Sequence, residues 1–312
     1  MKCTKQEREI IRNVQKSTDK LGWKKRLLIN LALVPAFVFF IFPVLWVLLM
    51  SFKTQSQITT WPPDIFGPFT LENYQSIFSR MFGTGGVVSG IGKELVMQRK
   101  VDEYVKAFLN TTLFSTISVL ISLIIGVPAA YGLARYKTKA KDQLATMFMS
   151  FRFVPELMTI IPLFLVYQTV GLYNTYFGLI WVYLLISLPM IIWITRIGFD
   201  EIPFDLEQAA MLDGYGRSKT FFKIILPMAK PGIAAATVLS FIYAWNNFLF
   251  GFVLSSDKKP VTVAILGFYD ITGLNYGRIA AAIVLAILPP IIVSQIASEY
   301  LVSGLSMGAV KR

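Results

Sequence analysis

The sequence predicts an all-α fold: a polytopic transmembrane helical bundle of six spans, with both termini inside and a pair of short cytoplasmic helices between spans four and five. Three observations predict it. Apolar residues make up 55% of the 312 residues and charged residues only 15%, whereas soluble domains carry about 45–50% and 25%. The apolar residues are gathered into long runs, and most Lys and Arg residues lie in alternate segments between those runs.

Six apolar runs are long enough to cross a bilayer as helices. About 20 apolar residues cross the hydrocarbon core, and a helix pairs its own backbone polar groups where lipid offers no partner. Two charged residues, Arg152 and Glu156, interrupt the third run. The predicted spans are 28–50, 107–134, 144–170, 178–197, 233–254 and 279–302.

The Lys and Arg residues predict the orientation of these spans. With the N-terminus inside, the inner segments carry 20 of them and the outer segments nine, in keeping with the positive-inside rule. The chain then divides into a basic cytoplasmic N-terminal segment 1–27, a transmembrane domain 28–302 and a cytoplasmic tail 303–312. Because segment 1–27 is too long for an ordinary secretory leader, the first span is expected to be retained.

Several classes of chemistry lack their usual residues. The chain has no histidine and one cysteine, Cys3, which disfavours zinc sites, redox chemistry and His-dependent catalysis. Its formal charge of +12 is spread between apolar blocks, so nucleic-acid binding is not expected. The glycine-rich run that starts at Gly83 has Val87 and Glu94 where a P-loop needs glycine and Ser or Thr. No catalytic, metal or cofactor-binding residue is therefore predicted, and the chain is not expected to be an enzyme.

A cytoplasmic stretch between spans four and five differs from its neighbours. It reads DLEQAAMLDGYGRSKTFFKIILP from Asp205, and it is polar and broken by glycine. Pro203 suits the start of a short helix, and Gly214 is placed to end that helix in a left-handed conformation. A second short helix is predicted to begin at Ser218 and to run to Pro227. One face of the first helix is predicted to carry Leu206, Ala209, Ala210 and Asp213.

The residues of loop 203–227 allow two interpretations, a compact two-helix knob or an amphipathic connection at the membrane surface. The spacing favours the knob, because the loop fits EAA-x3-G-x9-I-x-LP with one departure, Gln208 in place of Glu. Seven further segments are informative: PVLWVLLMSFK from Pro43, LENYQSIF from Leu71, FLNTT from Phe108, GVPAAYGLAR from Gly126, GLYNT from Gly171, YAWNNFLF from Tyr243 and GLSMGAVK from Gly304. On this loop and these segments the chain resembles the inner-membrane subunits of binding-protein-dependent ABC importers, specifically the smaller permease of the maltose-type carbohydrate branch. Other departures are Asn247, where the family often has an acidic residue, and an extra stretch at 80–106.

The resemblance implies half of a translocation pathway for a sugar or oligosaccharide, in a prokaryotic plasma (inner) membrane. Besides membrane lipid, it implies as partners a second permease subunit, two ATPase subunits and an extracellular or periplasmic solute-binding protein. ATP and Mg are expected on the ATPase partner, whose closure the loop is expected to transmit. The residues assigned to that contact are Glu207, Gln208, Ala209, Ala210, Asp213 and Gly214.

Other functions are compatible with six spans. An importer of a polyol or a sugar phosphate is one alternative, although a phosphate calls for cationic groups and only Arg152 is a clear candidate. A secondary transporter driven by an ion gradient is another, but it predicts internal repeats and acidic relay residues that the chain does not clearly offer. A membrane scaffold without transport is the third.

Two sets of polar residues lie within the predicted spans. Arg152 and Glu156 are four residues apart, so they are predicted to share a helix face, either as a structural pair or as a gate or pathway contact. Arg152 is also expected close enough to the cytoplasmic side to reach the headgroups. The second set enters the fifth span and offers amides and aromatic faces that suit either sugar recognition or helix packing. It consists of Tyr243, Trp245, Asn246 and Asn247.

Overall fold

A computed structural model describes residues 23–84, 93–136, 141–270 and 273–298. Within these ranges the regular secondary structure is helical apart from one short hairpin, β1 (Tyr269–Asp270) and β2 (Gly273–Leu274). The predicted tail 303–312 and most of the predicted segment 1–27 lie outside the described residues. The prediction of an all-α fold is confirmed for the described residues.

The helices of the described ranges follow one another with short connections. Three helical segments are of other types: Phe151–Phe153 and Ile265–Phe268 form 3₁₀ turns, and Phe221–Ile225 forms a π turn. The α-helices are α1 (Trp23–Ser51), α2 (Gln55–Thr59), α3 (Glu72–Met81), α4 (Lys93–Arg135), α5 (Lys141–Ser150), α6 (Glu156–Thr169), α7 (Tyr176–Asp200), α8 (Asp205–Leu212), α9 (Arg217–Thr220), α10 (Leu226–Met228), α11 (Lys230–Asn246), α12 (Leu249–Leu254), α13 (Val261–Ala264) and α14 (Tyr276–Ile296).

Four of these helices are long and apolar enough to cross a membrane by themselves. Helices α1, α4 and α7 contain the predicted spans one, two and four. Helix α14 contains predicted span six as far as residue 296. The remaining two candidates are bent pairs of helices, so the described residues hold four spans, or six if each bent pair counts as one. A helical, multi-pass membrane protein is confirmed, and the count of six spans stays a prediction.

The third predicted span is not a continuous helix. Two helical segments, Asp142–Phe153 and Glu156–Thr169, meet at 91°. Val154 and Pro155 between them are extended, with ψ values of 123° and 125°. Proline disfavours the α conformation in the residue before it and lacks an N–H for a continuing helix, which explains the break. Uninterrupted helix over 144–170 is therefore a wrong prediction.

The fifth predicted span, 233–254, is also broken. Helix α11 ends at Asn246, and Asn247 is extended with φ −64° and ψ 125°. The Asn247 side chain accepts a hydrogen bond from the Phe250 N–H at 3.3 Å, so it caps the next helix, α12. Asparagine often competes with the helical backbone in this way, and the apolar pattern does not reveal it.

Helix α4 is longer than its predicted span. It has 43 residues, about 65 Å at 1.5 Å per residue, whereas the hydrocarbon core is about 30 Å thick. Residues 93–106, expected in an outer loop, are its first turns, while residues 85–92 of that stretch lie outside the described ranges. The extra 80–106 segment is thus partly an extension of the second predicted span.

Helices α4, α7 and α11 form the centre of the bundle. Gly126 of α4 lies so close to α7 that a Cβ there would come within 2.9 Å of Ile191. Further along the same pair, the Phe114 and Tyr183 rings lie 5.8 Å apart, and the Tyr131 and Phe199 rings lie 5.5 Å apart. Since α4 and α7 run parallel at close range, loop 203–227, which follows α7, starts beside the end of α4.

Candidate functional site

Loop 203–227 consists of two short helical pieces separated by glycine. Helix α8 ends at Leu212, and Gly214 has φ +85°, so the predicted left-handed glycine is confirmed. The second piece differs from its prediction, because Ser218 lies inside α9, which begins at Arg217 after an extended Gly216. It also passes through Pro227 to Met228 before it bends by 71° into α11. The preceding π turn has wider spacing between donor and acceptor, which accommodates a proline that lacks an N–H.

A buried ion pair fastens the first piece to the bundle. The carboxylate of Glu207 is 2% exposed and pairs with the Nε of Arg135, the last residue of α4. Its other oxygen accepts a hydrogen bond from the Tyr131 hydroxyl at 3.0 Å. Arg135 also donates through Nη2 to the Ile202 carbonyl at 2.8 Å. The guanidinium therefore holds both the start of the loop and its first helix against α4.

Aromatic side chains fasten the second piece. The Phe221 ring of the π turn lies 4.7 Å from the Tyr131 ring and 6.2 Å from the Phe199 ring. Rings at 4.5–7 Å typically add about 0.5–1.5 kcal/mol beyond the area they bury. Tyr131 thus contacts both pieces of the loop, one through its hydroxyl and the other through its ring.

The two helices that flank the loop meet at a pair of glycines. A Cβ on Gly198 of α7 would lie 3.4 Å from the Gly232 Cα of α11, and a Cβ on Gly232 would lie 3.3 Å from the Gly198 Cα. Such close backbone approach leaves no room for larger side chains. The chain therefore enters and leaves the loop at adjacent points of two packed helices.

The six residues assigned to ATPase contact divide between the two sides of α8. Glu207 and Ala210 are buried against the bundle, whereas Gln208, Ala209, Asp213 and Gly214 are exposed. The predicted face of four residues is thus divided, because Ala210 points inward. Apolar side chains accompany the exposed residues, and Leu212 at the tip is 89% exposed. We call this surface the loop tip; its apolar members are Leu206, Met211 and Leu212.

The breaks of the third and fifth predicted spans meet in a polar group that we call the break cluster, Arg152, Glu156, Tyr243 and Asn247. The Tyr243 hydroxyl donates to Glu156 Oε1 at 2.8 Å, and Asn247 Nδ2 donates to the same oxygen at 3.4 Å. The Arg152 guanidinium lies over the Tyr243 ring at 4.3 Å. The prediction that Arg152 and Glu156 share a helix face is wrong, since the extended segment at Pro155 separates them and both contact Tyr243 instead.

The other two residues predicted for the pathway lie elsewhere. Trp245 is 1% exposed, and its Nε1 donates to the Ala286 carbonyl of α14 at 2.9 Å. Its ring packs 5.6 Å from that of Phe108, so Trp245 packs helices together in this conformation. Asn246 is exposed and donates to the Ile242 carbonyl of its own helix at 2.8 Å. Of the predicted set, only Tyr243 and Asn247 join Glu156.

Several residues of these sites have no signal in the sequence. Arg135 and Tyr131 belong to the segment GVPAAYGLAR, but no spacing rule links them to Glu207, which lies 72 residues beyond Arg135. The contact between Gly198 and Gly232 likewise depends on how α7 and α11 cross. A basic residue at the end of a span is the one available hint, since it must find a partner at the membrane surface.

Comparisons with known proteins identify the family. The model of the binding-protein-dependent transport system inner membrane component matches residues 122–307. The trehalose transport system permease protein SugB of Mycobacterium tuberculosis (strain CDC 1551 / Oshkosh) is 32% identical over 273 residues, which cover 86% of this chain and 92% of that protein. The diacetylchitobiose uptake system permease protein NgcG of Streptomyces coelicolor is 29% identical over 278 residues, 88% of this chain and 85% of that one.

A solved structure shares the fold. It is described as the crystal structure of a bacterial ABC transporter involved in the import of the acidic polysaccharide alginate. The TM-score is 0.66 at 22% identity, and the match covers 90% of this chain and 98% of that chain. The family match and the similarity to SugB show that the chain belongs to the binding-protein-dependent transport system inner membrane components, the permease subunits of ABC transporters.

Proposed function

We propose that this chain is the membrane-spanning permease subunit of an ATP-driven, binding-protein-dependent importer of a sugar or oligosaccharide. It forms half of the translocation pathway in a prokaryotic plasma membrane. Support comes from relatives whose names state sugar transport, among them permeases for trehalose, for diacetylchitobiose and for melibiose, raffinose and stachyose. The second half of the pathway is contributed by another permease, and the solute arrives on an external binding protein.

The observation that carries the proposal is the attachment of loop 203–227. The loop is fixed by the Glu207–Arg135 ion pair, the rings around Tyr131 and the contact between Gly198 and Gly232. Its tip nevertheless exposes Leu212 and small residues such as Ala209. A surface that is apolar, small and rigidly mounted suits a protein groove, because little conformational entropy is lost on binding.

The partner in that groove is a separate ATPase subunit, one for each permease. ATP and Mg are bound there, and this chain takes no part in the hydrolysis. When the ATPase subunits close, the loop tip moves with them, and the ion pair passes the displacement to α4. A flexible loop would change its own conformation in response to that displacement and would not move the spans.

Reconstitution tests this proposal. The chain is placed in proteoliposomes with its second permease, the ATPase subunits, the binding protein and a radiolabelled sugar. Uptake is expected only when ATP and the binding protein are both present. Uptake by this chain alone under a proton or sodium gradient would contradict the importer and support a secondary transporter.

A further inference from the structure

The break cluster lies near the middle of the membrane-spanning part. Arg152 Nη1 contacts the Met190 sulfur of α7 at 2.7 Å. At 1.5 Å per residue, Met190 is about 21 Å from Tyr176 at one end of α7 and about 15 Å from Asp200 at the other. Arg152 is therefore placed well inside the bundle rather than at the cytoplasmic headgroups where the sequence predicts it. Charged groups at such depth usually mark a pathway or a ligand.

Arg152 has most of its hydrogen-bonding capacity unused. A guanidinium carries five N–H donors, and the acceptor recorded for it in the described part of the chain is the weakly accepting thioether of Met190. Its face is covered by the Tyr243 ring, and no carboxylate of the described residues forms an ion pair with it. The side chain is only partly buried, so these donors can reach a molecule in the pathway.

Glu156 offers the complementary group. Both hydrogen bonds that its carboxylate accepts within the described ranges, from Tyr243 and Asn247, end on Oε1. Its second oxygen, Oε2, therefore keeps its accepting capacity. Tyr243 contacts both residues: the Arg152 guanidinium lies over its ring, and the Glu156 carboxylate accepts from its hydroxyl. The unused donors of Arg152 and the free acceptor Oε2 of Glu156 are therefore grouped around one tyrosine.

We propose that the break cluster is a direct solute-contact site of this chain and that it selects a neutral sugar through neighbouring hydroxyl groups. The inference rests on the proposed importer function. A hydroxyl both donates and accepts, so one sugar hydroxyl can donate to Glu156 Oε2 while its neighbour accepts from Arg152. The charges of Arg152 and Glu156 offset each other. An acidic or phosphorylated sugar is therefore attracted by Arg152 but repelled by Glu156, and it gains no binding free energy over a neutral sugar from the pair.

The first experiment identifies the transported sugar. In host cells, uptake of a radiolabelled panel is compared before and after deletion of the gene for this chain. The panel holds trehalose and diacetylchitobiose as neutral probes, and cellobiouronic acid and trehalose 6-phosphate as anionic probes. Loss of neutral-sugar uptake alone is expected. Loss confined to an anionic probe would overturn the neutral site and leave the importer standing, whereas a deletion that affects no probe would count against both.

The second experiment places single substitutions in the chromosomal gene. Arg152→Gln and Glu156→Gln are each expected to lower the maximal uptake rate at least tenfold, at equal protein in the membrane. The half-saturating sugar concentration is expected to stay unchanged, because the binding protein captures the sugar first. Asp257→Asn, an exposed carboxylate of an outer loop, is the matched control and is expected to keep the full rate.

Selectivity separates a solute contact from a structural role. Saturation-transfer NMR on the purified complex without its binding protein compares trehalose with trehalose 6-phosphate. Glu156→Gln removes the negative charge, so it is expected to shift the signal ratio severalfold toward the phosphorylated probe. Asp257→Asn, which also removes one negative charge but outside the break cluster, is expected to leave the ratio unchanged. An unchanged ratio in Glu156→Gln, in a complex that still assembles, would overturn the site.

Discussion

The carboxylate of Glu207 is buried against the guanidinium of Arg135, and this ion pair joins α8 of the cytoplasmic loop to the end of α4. Both groups have left water, so their attraction is little screened and each depends on the other. Tyr131 adds a hydrogen bond to the same carboxylate at 3.0 Å. The loop is thus bonded to a helix that is distant in sequence as well as to the two helices that flank it.

Glu207→Gln leaves Arg135 buried without its counter-charge. Removal of one partner of a buried pair typically costs about 3–5 kcal/mol, so the melting temperature of the purified complex is expected to fall. ATP hydrolysis stimulated by the binding protein is expected to drop severalfold, because the loop is no longer fixed to α4. Asp205→Asn removes an exposed carboxylate of the same helix that is not among the residues assigned to the ATPase contact, and it is the control. If the two variants have the same melting temperature and the same stimulated ATP hydrolysis, the ion pair does not fix the loop to α4.

Gly214→Val tests the turn between the two helical pieces. No atom lies within 4 Å of a Cβ at this position, so the effect comes from the backbone at φ +85° alone. The left-handed conformation costs an L-residue about 1–2 kcal/mol, and asparagine tolerates it best. Membrane insertion is expected to survive in Gly214→Val while stimulated ATP hydrolysis falls severalfold, and Gly214→Asn is expected to stay near wild type. Full stimulation in the valine variant argues against a rigid turn.

Gly232→Leu separates the two helices that flank the loop. A Cβ there would already lie 3.3 Å from the Gly198 backbone, so a larger side chain must push α11 away from α7. Overpacking of this kind typically costs about 1–3 kcal/mol, and we expect a lower melting temperature together with weaker ATP-driven uptake. Gly232→Ala is expected to cost less, and Gly216→Ala, in open space at φ −69°, is the control. A leucine variant with wild-type melting and uptake would show that the close contact is unimportant.

Gln208→Glu restores the residue that the family usually carries. Gln208 is exposed, and no hydrogen bond of its side chain is recorded among the described residues, so a charge there meets water. Folding and transport are expected to remain near wild type in membrane-protein yield and sugar uptake. An inactive but well-folded Gln208→Glu variant would mean that the partner surface requires a neutral amide.

The sequence predicts features that depend on local chemistry. Four spans follow from the length and composition of their apolar runs, and Gly214 ends a helix because glycine adopts positive φ without strain. The first helix of loop 203–227 is placed correctly from Pro203 and the apolar spacing. In each case the information lies within a few neighbouring residues.

Two local helix breaks and the contacts between distant residues are missed. The apolar length of 144–170 predicts one continuous helix, and the local effect of Pro155 breaks it. Asn247 ends α11 because its side chain caps α12, and hydropathy does not take such a hydrogen bond into account. The partners of Glu207 and Glu156 come from other helices, so their identity depends on the packing of the whole bundle.

The contact between the loop tip and an ATPase subunit is the central claim, and site-specific crosslinking tests it most directly. Cys3 is replaced by Ser, and a photoreactive label is attached to Leu212→Cys in the assembled, transport-competent complex. The label is expected to join this chain to the ATPase subunit, whereas the same label at Phe66→Cys, exposed in the first predicted outer loop, is expected not to. A complex that transports sugar while the label at residue 212 never reaches the ATPase would contradict the account.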